Sequence, residues 1–301
     1  MPPARRVVAI VGATASGKTA VAVAVAQHLD VEVVSADSRQ VRAGMMVGTA
    51  APTTEEQAAV RHHLVGHVPV DAPYTLADWL REARAALDDI WARGKTPLVV
   101  GGTGQYVWAL LEGWQPPAVE PDLELRAELE AQLEAEGVAA LFARLQVLAP
   151  EAADRLVDPK NHRRVIRAIE VAAAGAAPSI EPPDFASSVV GLDWPREALH
   201  ERADMRVEAM YAAGLVEETR GLLERFDAGL PAMRTMGYAE AVRVASGEWG
   251  VDEAMARTKT ETHRLIRMQA TWFRRDDERI EWVLGSDLEA AVRAVETAAL
   301  S

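Results

Sequence analysis

A hydrophobic run followed by a glycine-framed octet opens this chain and constrains its fold more than any other feature. Val7 to Val11 is typical of a buried strand, and Lys18 to His28 of a helix rich in alanine and valine. Between them the sequence matches the phosphate-loop pattern G-x-x-x-x-G-K-[ST] in the required strand–loop–helix setting. The loop consists of Gly12, Ala13, Thr14, Ala15, Ser16, Gly17, Lys18 and Thr19.

This phosphate loop predicts a particular chemistry. Backbone N–H groups at a helix N-terminus bind phosphate oxygens, and the helix dipole favours their negative charge. We expect Lys18 to reach the outer phosphate and Thr19 to bind Mg²⁺ through its hydroxyl. A chance glycine turn is the poorer interpretation in this context. The loop therefore indicates a diphosphate or triphosphate ligand, but does not reveal what those phosphates are attached to.

Two more predicted strands end in polar or glycine-rich segments. Val31 to Asp37 ends on an acid, and Thr96 to Gly104 runs into a Gly-Gly-Thr-Gly turn. Thr75 to Arg93 carries apolar residues at spacings of three and four, as an amphipathic helix does. Alternating strands and helices predict an α/β fold with a parallel sheet. Ligands of such sheets bind at the carboxyl ends of the strands, so one site is expected there.

The middle of the chain departs from this alternation. A proline-rich break at 113–122 precedes mostly helical, charged sequence, and a second break covers 175–185. We interpret 115–190 as a helical insertion, with 1–114 and 191–301 forming a phosphate-loop core of the P-loop NTPase type. A continuous fold with long surface loops is the alternative, but unstructured loops of that length are uncommon.

Composition excludes some functions and leaves others open. The net charge of −13 argues against non-specific coating of nucleic acid, although basic tracks occur at 160–167 and 257–275. Such tracks, taken alone, are more often solvated helix faces. There is no cysteine, so thiolate zinc sites and disulfides are excluded. No apolar run approaches a membrane span and no leader pattern occurs, so we expect a cytoplasmic protein with no membrane partner.

Several candidate polar residues keep more than one interpretation. Asp37 could be a general base, an indirect magnesium partner or a helix cap. The turn at 101–104 is a weak signal alone, since glycine turns commonly follow strands. His62 and His63 favour a hydrogen-bonded role over zinc, because no third ligand stands at metal spacing.

Several ordered stretches together resemble one family, the bacterial tRNA dimethylallyltransferases. They span nearly the whole chain, which makes the resemblance much more specific than a phosphate loop alone. The matching stretches are GATASGKT (12–19), DSRQV (37–41), GTAAPT (48–53), HHL (62–64), GGTGQY (101–106), NHRRVIRAIEV (161–171), RVEAMYAAGLVEE (206–218), MRTMGYAEA (233–241) and QATWFRR (269–275).

The resemblance implies a reaction and roles for individual residues. Dimethylallyl diphosphate is the implied donor, N6 of adenosine 37 in the tRNA anticodon stem-loop the acceptor, and Mg²⁺ on Thr19 the cofactor. Asp37 would accept the N6 proton, Thr103 would hydrogen-bond near the reacting centre, and Arg234 and Lys18 would stabilise the diphosphate. The implied tRNA-binding residues are Asp37, Ser38, Arg39, Gln40, Thr103, Arg126, Asn161, His162, Arg163, Arg164, Val165, Arg267 and Gln269. We expect a monomer.

Four positions depart from the family pattern without removing a proposed catalytic group. They are Ala13 for proline, Arg42 for tyrosine, Gln105 for leucine, and Met268 within the segment before Thr271. Two other functions account for part of the sequence. A small-molecule kinase using ATP explains the phosphate loop and Asp37 but not the basic tracks, and a nucleotide-dependent RNA-binding switch would need no catalytic acid.

Overall fold

The computed structural model describes residues 5–117, 119–120 and 122–301. Residues 1–4, and Ala118 and Pro121 of the predicted break at 113–122, lie outside the described residues. The chain divides into two compact units. One comprises the chain up to Leu111 together with Pro183–Ser301, and the other is Glu112–Pro182.

The secondary structure of the described residues alternates as the sequence predicts. The strands are β1 (Arg6–Val11), β2 (Val31–Ser35), β3 (His62–His63), β4 (Thr96–Gly101), β5 (Trp114–Gln115), β6 (Ser179–Ile180), β7 (Ala186–Asp193) and β8 (Ile280–Leu284). The helices are α1 (Lys18–Val25), α2 (Thr54–Ala59), α3 (Leu76–Ala92), α4 (Gly104–Leu111), α5 (Leu123–Glu136), α6 (Val138–Leu148), α7 (Pro150–Asp154), α8 (His162–Ala173), α9 (Arg196–Ala212), α10 (Leu215–Leu223), α11 (Tyr238–Ala245), α12 (Val251–Trp272) and α13 (Leu288–Leu300).

A parallel sheet organises the first unit. Its strand order is β3-β2-β4-β1-β7-β8, and every paired neighbour is parallel. Strand β4 therefore lies between β1 and β2. The loops that follow these three strands meet at one edge of the sheet, as the sequence predicts. The predicted α/β class with a parallel sheet is confirmed.

Helices cover the sheet because its strands are apolar on both faces. All five residues Val7–Val11 of β1 are fully buried. Alternate residues, such as Val8 and Ile10, share a core with Val25 of α1 and Val295 of α13. Helices α3 and α4 pack on each other and α3 contacts β2 and β4. Thr75 is the N-cap of α3 and forms a capping box with Asp78. This arrangement satisfies backbone N–H groups that have no partner within the helix.

A second hydrophobic core lies among the C-terminal helices of the same unit. Helices α9, α10, α11 and α12 contact one another in pairs. Tyr238 and Leu215 are fully buried there, together with Met233 and Ala241. This bundle presents α9 and α12 to the phosphate loop, where Ala203 and Ile266 pack against Ala15.

The unit Glu112–Pro182 is helical, with a short antiparallel β5–β6 pair. Helices α5, α6 and α8 bury Leu129, Leu141 and Ile169 in a core of their own. The predicted insertion at 115–190 differs at its end, because β7 begins at Ala186 and pairs with β1. Residues 183–190 therefore lie with the sheet. No helix of the described residues is long and apolar enough to cross a membrane.

Candidate active site

The phosphate loop connects β1 to α1 in a conformation that few residues could adopt. Gly12 has φ 143° and Gly17 has φ 97°, and Ala15 between them is left-handed at φ 64°. Helix α9 and the end of β7 hold the loop from outside. Trp194 donates to the Ser16 carbonyl at 3.0 Å, and Arg202 donates to the Ala15 carbonyl at 3.0 Å. These two contacts hold the backbone of the phosphate loop in place.

Lys18 lies within this loop. Its ammonium donates to the carbonyl oxygens of Gly12 at 3.0 Å and Ala13 at 2.8 Å. Burial lowers the pKa of Lys18 to about 7, Arg206 acts in the same direction, and Asp37 opposes both. An anion bound beside Lys18 would favour its charged form.

Asp37 lies directly after β2 and faces the same pocket as Lys18. Its Oδ1 accepts the backbone N–H of Arg39 at 2.9 Å, which fixes the carboxylate orientation. Thr103, after β4, accepts the N–H of Ser38 at 3.0 Å. The sequence prediction that these strand ends converge is therefore confirmed in their geometry, while their catalytic roles stay predictions.

Two arginines complete the pocket, and one of them was not predicted. Arg206 projects from α9 and donates to the Ala50 carbonyl at 3.2 Å. Burial lowers the pKa of Arg206, and Asp37 opposes that effect. Arg39 donates to the carbonyls of Gly48 and Met236 at 2.8 and 2.9 Å, and its buried Nε has no partner within the described residues. Lys18, Arg39 and Arg206 thus give the pocket a cationic wall suited to a multiply charged anion.

A half-buried carboxylate holds the segment that carries Gly48, which lines the pocket. Glu218 accepts the backbone N–H groups of Met46 and Val47 at 3.0 Å and the hydroxyl of Tyr238 at 2.5 Å. Tyr238 in turn accepts the N–H of Gly48 at 3.1 Å. Three of the matched sequence stretches therefore meet here to hold one loop. Their shared role was not apparent from spacing, because Glu218 and Gly48 are far apart in the chain.

Gln269 is placed differently from the prediction that it contacts tRNA. Its side chain is 7% exposed. Oε1 accepts the N–H of Thr14 at 2.8 Å, and Nε2 donates to the Gly102 carbonyl at 3.1 Å. Arg267, two residues earlier, is exposed. The two predicted tRNA residues of α12 thus lie on opposite faces, and only Arg267 presents its side chain to solvent.

Other predicted residues around the pocket make internal contacts. The amide of Gln40 accepts from the Ser35 hydroxyl at 3.1 Å and donates to the Ala50 carbonyl at 3.1 Å. Ser38 is exposed. Arg234 is exposed in the loop before α11 and does not line the pocket in this structure. Its predicted role toward diphosphate would require the side chain to turn inward, so it stays a prediction.

The helical unit holds the remaining predicted tRNA residues, and two of them make contacts within the unit. Arg126 donates from Nε and Nη2 to the carboxylate of Glu170 at 2.9 and 2.7 Å. The Glu170 side chain is 0% exposed, and Arg167 lies 3.5 Å away as a second cation. Val165 is fully buried in the unit's core. The Val165 side chain offers no surface to RNA, and the Arg126 guanidinium is paired with Glu170.

The start of α8 retains the predicted exposed cations. Asn161 caps the helix by accepting the N–H of Arg164 at 3.4 Å. His162, Arg163 and Arg164 are exposed, and the two arginine side chains have no ion pair within the described part of the chain. Free guanidinium groups at a helix start are available to phosphate oxygens.

Mg²⁺ on Thr19 stays a prediction, and the side chains near it offer oxygen donors. No group of three or more histidine, aspartate or glutamate side chains that could hold a metal ion occurs among the described residues. Mg²⁺ commonly takes one or two protein oxygens and completes its octahedron with phosphate and water, which suits Thr19 and Asp37. His62 and His63 are engaged elsewhere. His63 Nε2 lies 2.7 Å from Glu32 Oε2, and His62 Nδ1 lies 2.8 Å from the Val60 carbonyl.

The departures from the family pattern leave the pocket intact. Arg42 donates to the Pro69 and Ala72 carbonyls at 2.8 and 2.7 Å, so it fastens a loop. Gln105 and Met268 are exposed. Ala13 contributes its carbonyl to Lys18, as described above.

Comparison with known proteins gives a consistent result. The sequence profile of the IPP transferase family matches residues 40–276, and that of isopentenyl transferases matches residues 5–71. A tRNA dimethylallyltransferase from Roseiflexus sp. (strain RS-1) is 48% identical over 274 residues, covering 89% of this chain and 90% of its own length.

Solved structures agree. The tRNA isopentenylpyrophosphate transferase from Bacillus halodurans superposes with a TM-score of 0.72 at 32% identity, covering 98% of this chain and 97% of its own. A eukaryotic dimethylallyltransferase acting on tRNA shares the fold, with a TM-score of 0.79 at 24% identity. The match over most of the chain at 48% identity shows that this protein belongs to the IPP transferase family.

Proposed function

We propose that this protein transfers the dimethylallyl group of dimethylallyl diphosphate to N6 of adenosine 37 in tRNA, releasing diphosphate. The observation that carries the proposal is one pocket in which a phosphate loop, two half-buried arginines and an oriented aspartate face each other. Its family relatives are tRNA dimethylallyltransferases. The enzyme is therefore a tRNA prenyltransferase of the EC 2.5.1 class.

The donor side of the pocket stabilises a leaving group. Cleavage of the allylic carbon–oxygen bond places the electron pair on the departing diphosphate. The loop amides, Lys18 and Arg206 balance that growing charge, with Arg39 beside them. Mg²⁺, when bound through Thr19, supplies further positive charge to the diphosphate. Arg234 joins the residues that stabilise the diphosphate if the loop before α11 turns its side chain toward the ligand.

The acceptor side activates a weak nucleophile. As the new carbon–nitrogen bond forms, N6 of the adenine acquires positive charge and must lose a proton. Asp37 takes that proton, held in orientation by the N–H of Arg39. Thr103 anchors the adjoining loop by accepting the N–H of Ser38, and in this proposal its hydroxyl hydrogen-bonds near the reacting centre.

A protein of net charge −13 can bind RNA when its free cations are concentrated. Arg163 and Arg164 on α8, and Arg267 on α12, are exposed cations of this kind. They contact backbone phosphates and set the register of the anticodon stem-loop, while adenosine 37 is turned out of its stack into the pocket. The protein acts as a monomer, in the cytoplasm where tRNA is found.

A competition experiment separates this function from the ATP-dependent kinase. A prenyltransferase retains bound dimethylallyl diphosphate against a large excess of ATP, whereas a kinase releases it. The kinase is not favoured by the relatives, which are tRNA dimethylallyltransferases. A non-enzymatic RNA switch differs again, since it would bind tRNA and diphosphate without consuming either.

A further inference from the structure

Gln269 is the only side chain among the described hydrogen-bonding residues that joins the phosphate loop directly to the turn after β4. Its carbonyl oxygen accepts the N–H of Thr14 at 2.8 Å, and its amide nitrogen donates to the Gly102 carbonyl at 3.1 Å. Among side chains of this length, only glutamine carries an acceptor and a donor on one planar amide. At 7% exposure the amide is shielded from water.

The turn after β4 is shaped to receive α12. A Cβ atom on Gly102 would lie 2.2 Å from Gln269 Nε2, and one on Gly104 would lie 2.3 Å from Trp272 Cβ. Gln269 and Trp272 are three residues apart, so they project from the same face of the helix. Trp108 Nε1 also donates to the Trp272 carbonyl at 3.1 Å. The end of α12 is therefore locked against both glycines.

The two loops that Gln269 joins serve opposite halves of the reaction. Thr14 belongs to the loop that faces the departing diphosphate, and Gly102 precedes Thr103, which holds the Asp37 loop through Ser38. The spacing between these loops sets the distance between the allylic carbon and the attacking nitrogen. A misplacement of about 1 Å between reacting groups can lower a rate about 100-fold.

We propose that Gln269 is a positioning residue that fixes the separation of the donor-binding and acceptor-activating loops, and that it does not contact tRNA. The proposal rests on the proposed function, because the separation matters only if both substrates react across it. Exposed Arg267 lies on the opposite face of the same helix. RNA bound on that face could therefore change the distance between the two loops by moving α12.

The test compares substitutions that alter only the amide. Gln269→Met removes both hydrogen bonds at nearly constant volume. Gln269→Glu keeps the acceptor for Thr14 but turns a carboxylate oxygen toward the Gly102 carbonyl. Gln57→Glu is the matched control, because Gln57 also donates to a carbonyl, that of Pro52 at 2.8 Å, on an exposed helix.

Steady-state kinetics at saturating dimethylallyl diphosphate give the decisive readout. We expect both Gln269 variants to lower kcat by about 10- to 100-fold while the KM for tRNA changes less than about 2-fold. Gln57→Glu should retain wild-type kcat. A role in RNA contact predicts the reverse, with a raised tRNA KM, a reduced salt dependence of binding and an unchanged kcat.

A pH series distinguishes positioning from general loss of structure. The carboxyl introduced by Gln269→Glu is buried beside a carbonyl, which raises its pKa. Its protonated form donates to Gly102 as the amide does, so kcat relative to wild type should recover as the pH falls from about 8 to about 6. Gln269→Met has no such group and should show a flat ratio. Taking the ratio removes pH effects that are common to all forms.

The outcomes separate this proposal from the proposed function. If wild type prenylates tRNA and Gln269→Met keeps its kcat, Gln269 is not a positioning residue. If kcat falls without pH recovery in Gln269→Glu, and thermal unfolding shifts equally in both variants, a merely structural role replaces the proposal. If wild type itself transfers no prenyl group, the proposed function fails first. Calorimetry with inorganic diphosphate then still reports whether Gln269→Met loosens the phosphate loop, as the geometry requires.

Discussion

The hydroxyl oxygen of Thr103 accepts the backbone N–H of Ser38 at 3.0 Å, which joins the turn after β4 to the loop after β2. This contact depends on β4 lying between β1 and β2 in the sheet. Asp37 immediately precedes Ser38, so the loop that carries its carboxylate is attached to the end of β4 as well as to β2. A base held in this way can remove a proton without a loop rearrangement in each turnover.

Asp37→Asn tests the proposed base. The amide keeps the size of the side chain and can still accept from Arg39, but it cannot take a proton. We expect kcat to fall by about 100- to 10,000-fold, with tRNA affinity within about 2-fold of wild type. Rapid-quench turnover and filter binding measure the two quantities. Retained turnover would assign proton removal to another group.

Lys18 predicts a pH dependence of stability in the unliganded protein. Burial lowers the pKa of Lys18 to about 7, whereas in the unfolded chain it is about 10.4. Between these values the unfolded state binds one more proton, so the free energy of unfolding rises with pH, by up to about 1.4 kcal/mol per pH unit. Urea unfolding at pH 7, 8 and 9 measures the slope. Lys18→Met should lack this contribution, and parallel slopes in the two proteins would contradict the lowered pKa of Lys18.

Arg163→Ala combined with Arg164→Ala tests the exposed cations of α8. Loss of two phosphate contacts should raise the tRNA Kd and reduce the slope of log K against log salt by about 1 to 2. Arg81→Ala with Arg293→Ala is the matched control, since both side chains are exposed in the sheet-containing unit and the net charge change is equal. Equal slopes in the two double variants would place the RNA elsewhere.

Arg126 is expected to affect stability more than RNA affinity. Arg126→Ala leaves the buried Glu170 carboxylate with only the more distant Arg167, and we expect a loss of about 2–4 kcal/mol in unfolding free energy. Arg126→Met with Glu170→Leu removes the buried charge as well and should recover most of that loss. Urea unfolding measures both. An unchanged stability in Arg126→Ala, with weakened tRNA binding, would support the sequence-based expectation of a direct RNA contact.

Local patterns predicted the parts of the site that follow strands. The phosphate loop, Asp37 and the Gly-Gly-Thr-Gly turn each combine an apolar strand with a distinctive ending, and parallel strands bring such endings together. Arg206 begins one of the matched stretches, 206–218, but its charge and its position in the helical pattern of α9 did not distinguish it as a site residue. Its role emerges only where α9 crosses the phosphate loop.

The basic track at 257–275 shows why a run of charged residues does not by itself identify a binding surface. Arg267 and Gln269 are two residues apart in the sequence but lie on opposite faces of α12, because a helix turns 100° per residue. The insertion boundary expected at 190 falls inside β7, which begins at Ala186. The register of β7 is set by pairing with β1, a contact between distant parts of the chain that local sequence does not show.

Mapping the modified nucleoside tests the central claim most directly. Wild-type protein is incubated with Mg²⁺, dimethylallyl diphosphate and an unmodified tRNA bearing adenosines at positions 36 and 37, and the digested product is examined by mass spectrometry. A tRNA with guanosine at position 37 is the control. The account predicts N6-isopentenyladenosine at position 37 with one diphosphate released per prenyl group, and none in the control. Prenylation at another position, or no prenylation by the folded protein with several such tRNAs, would contradict it.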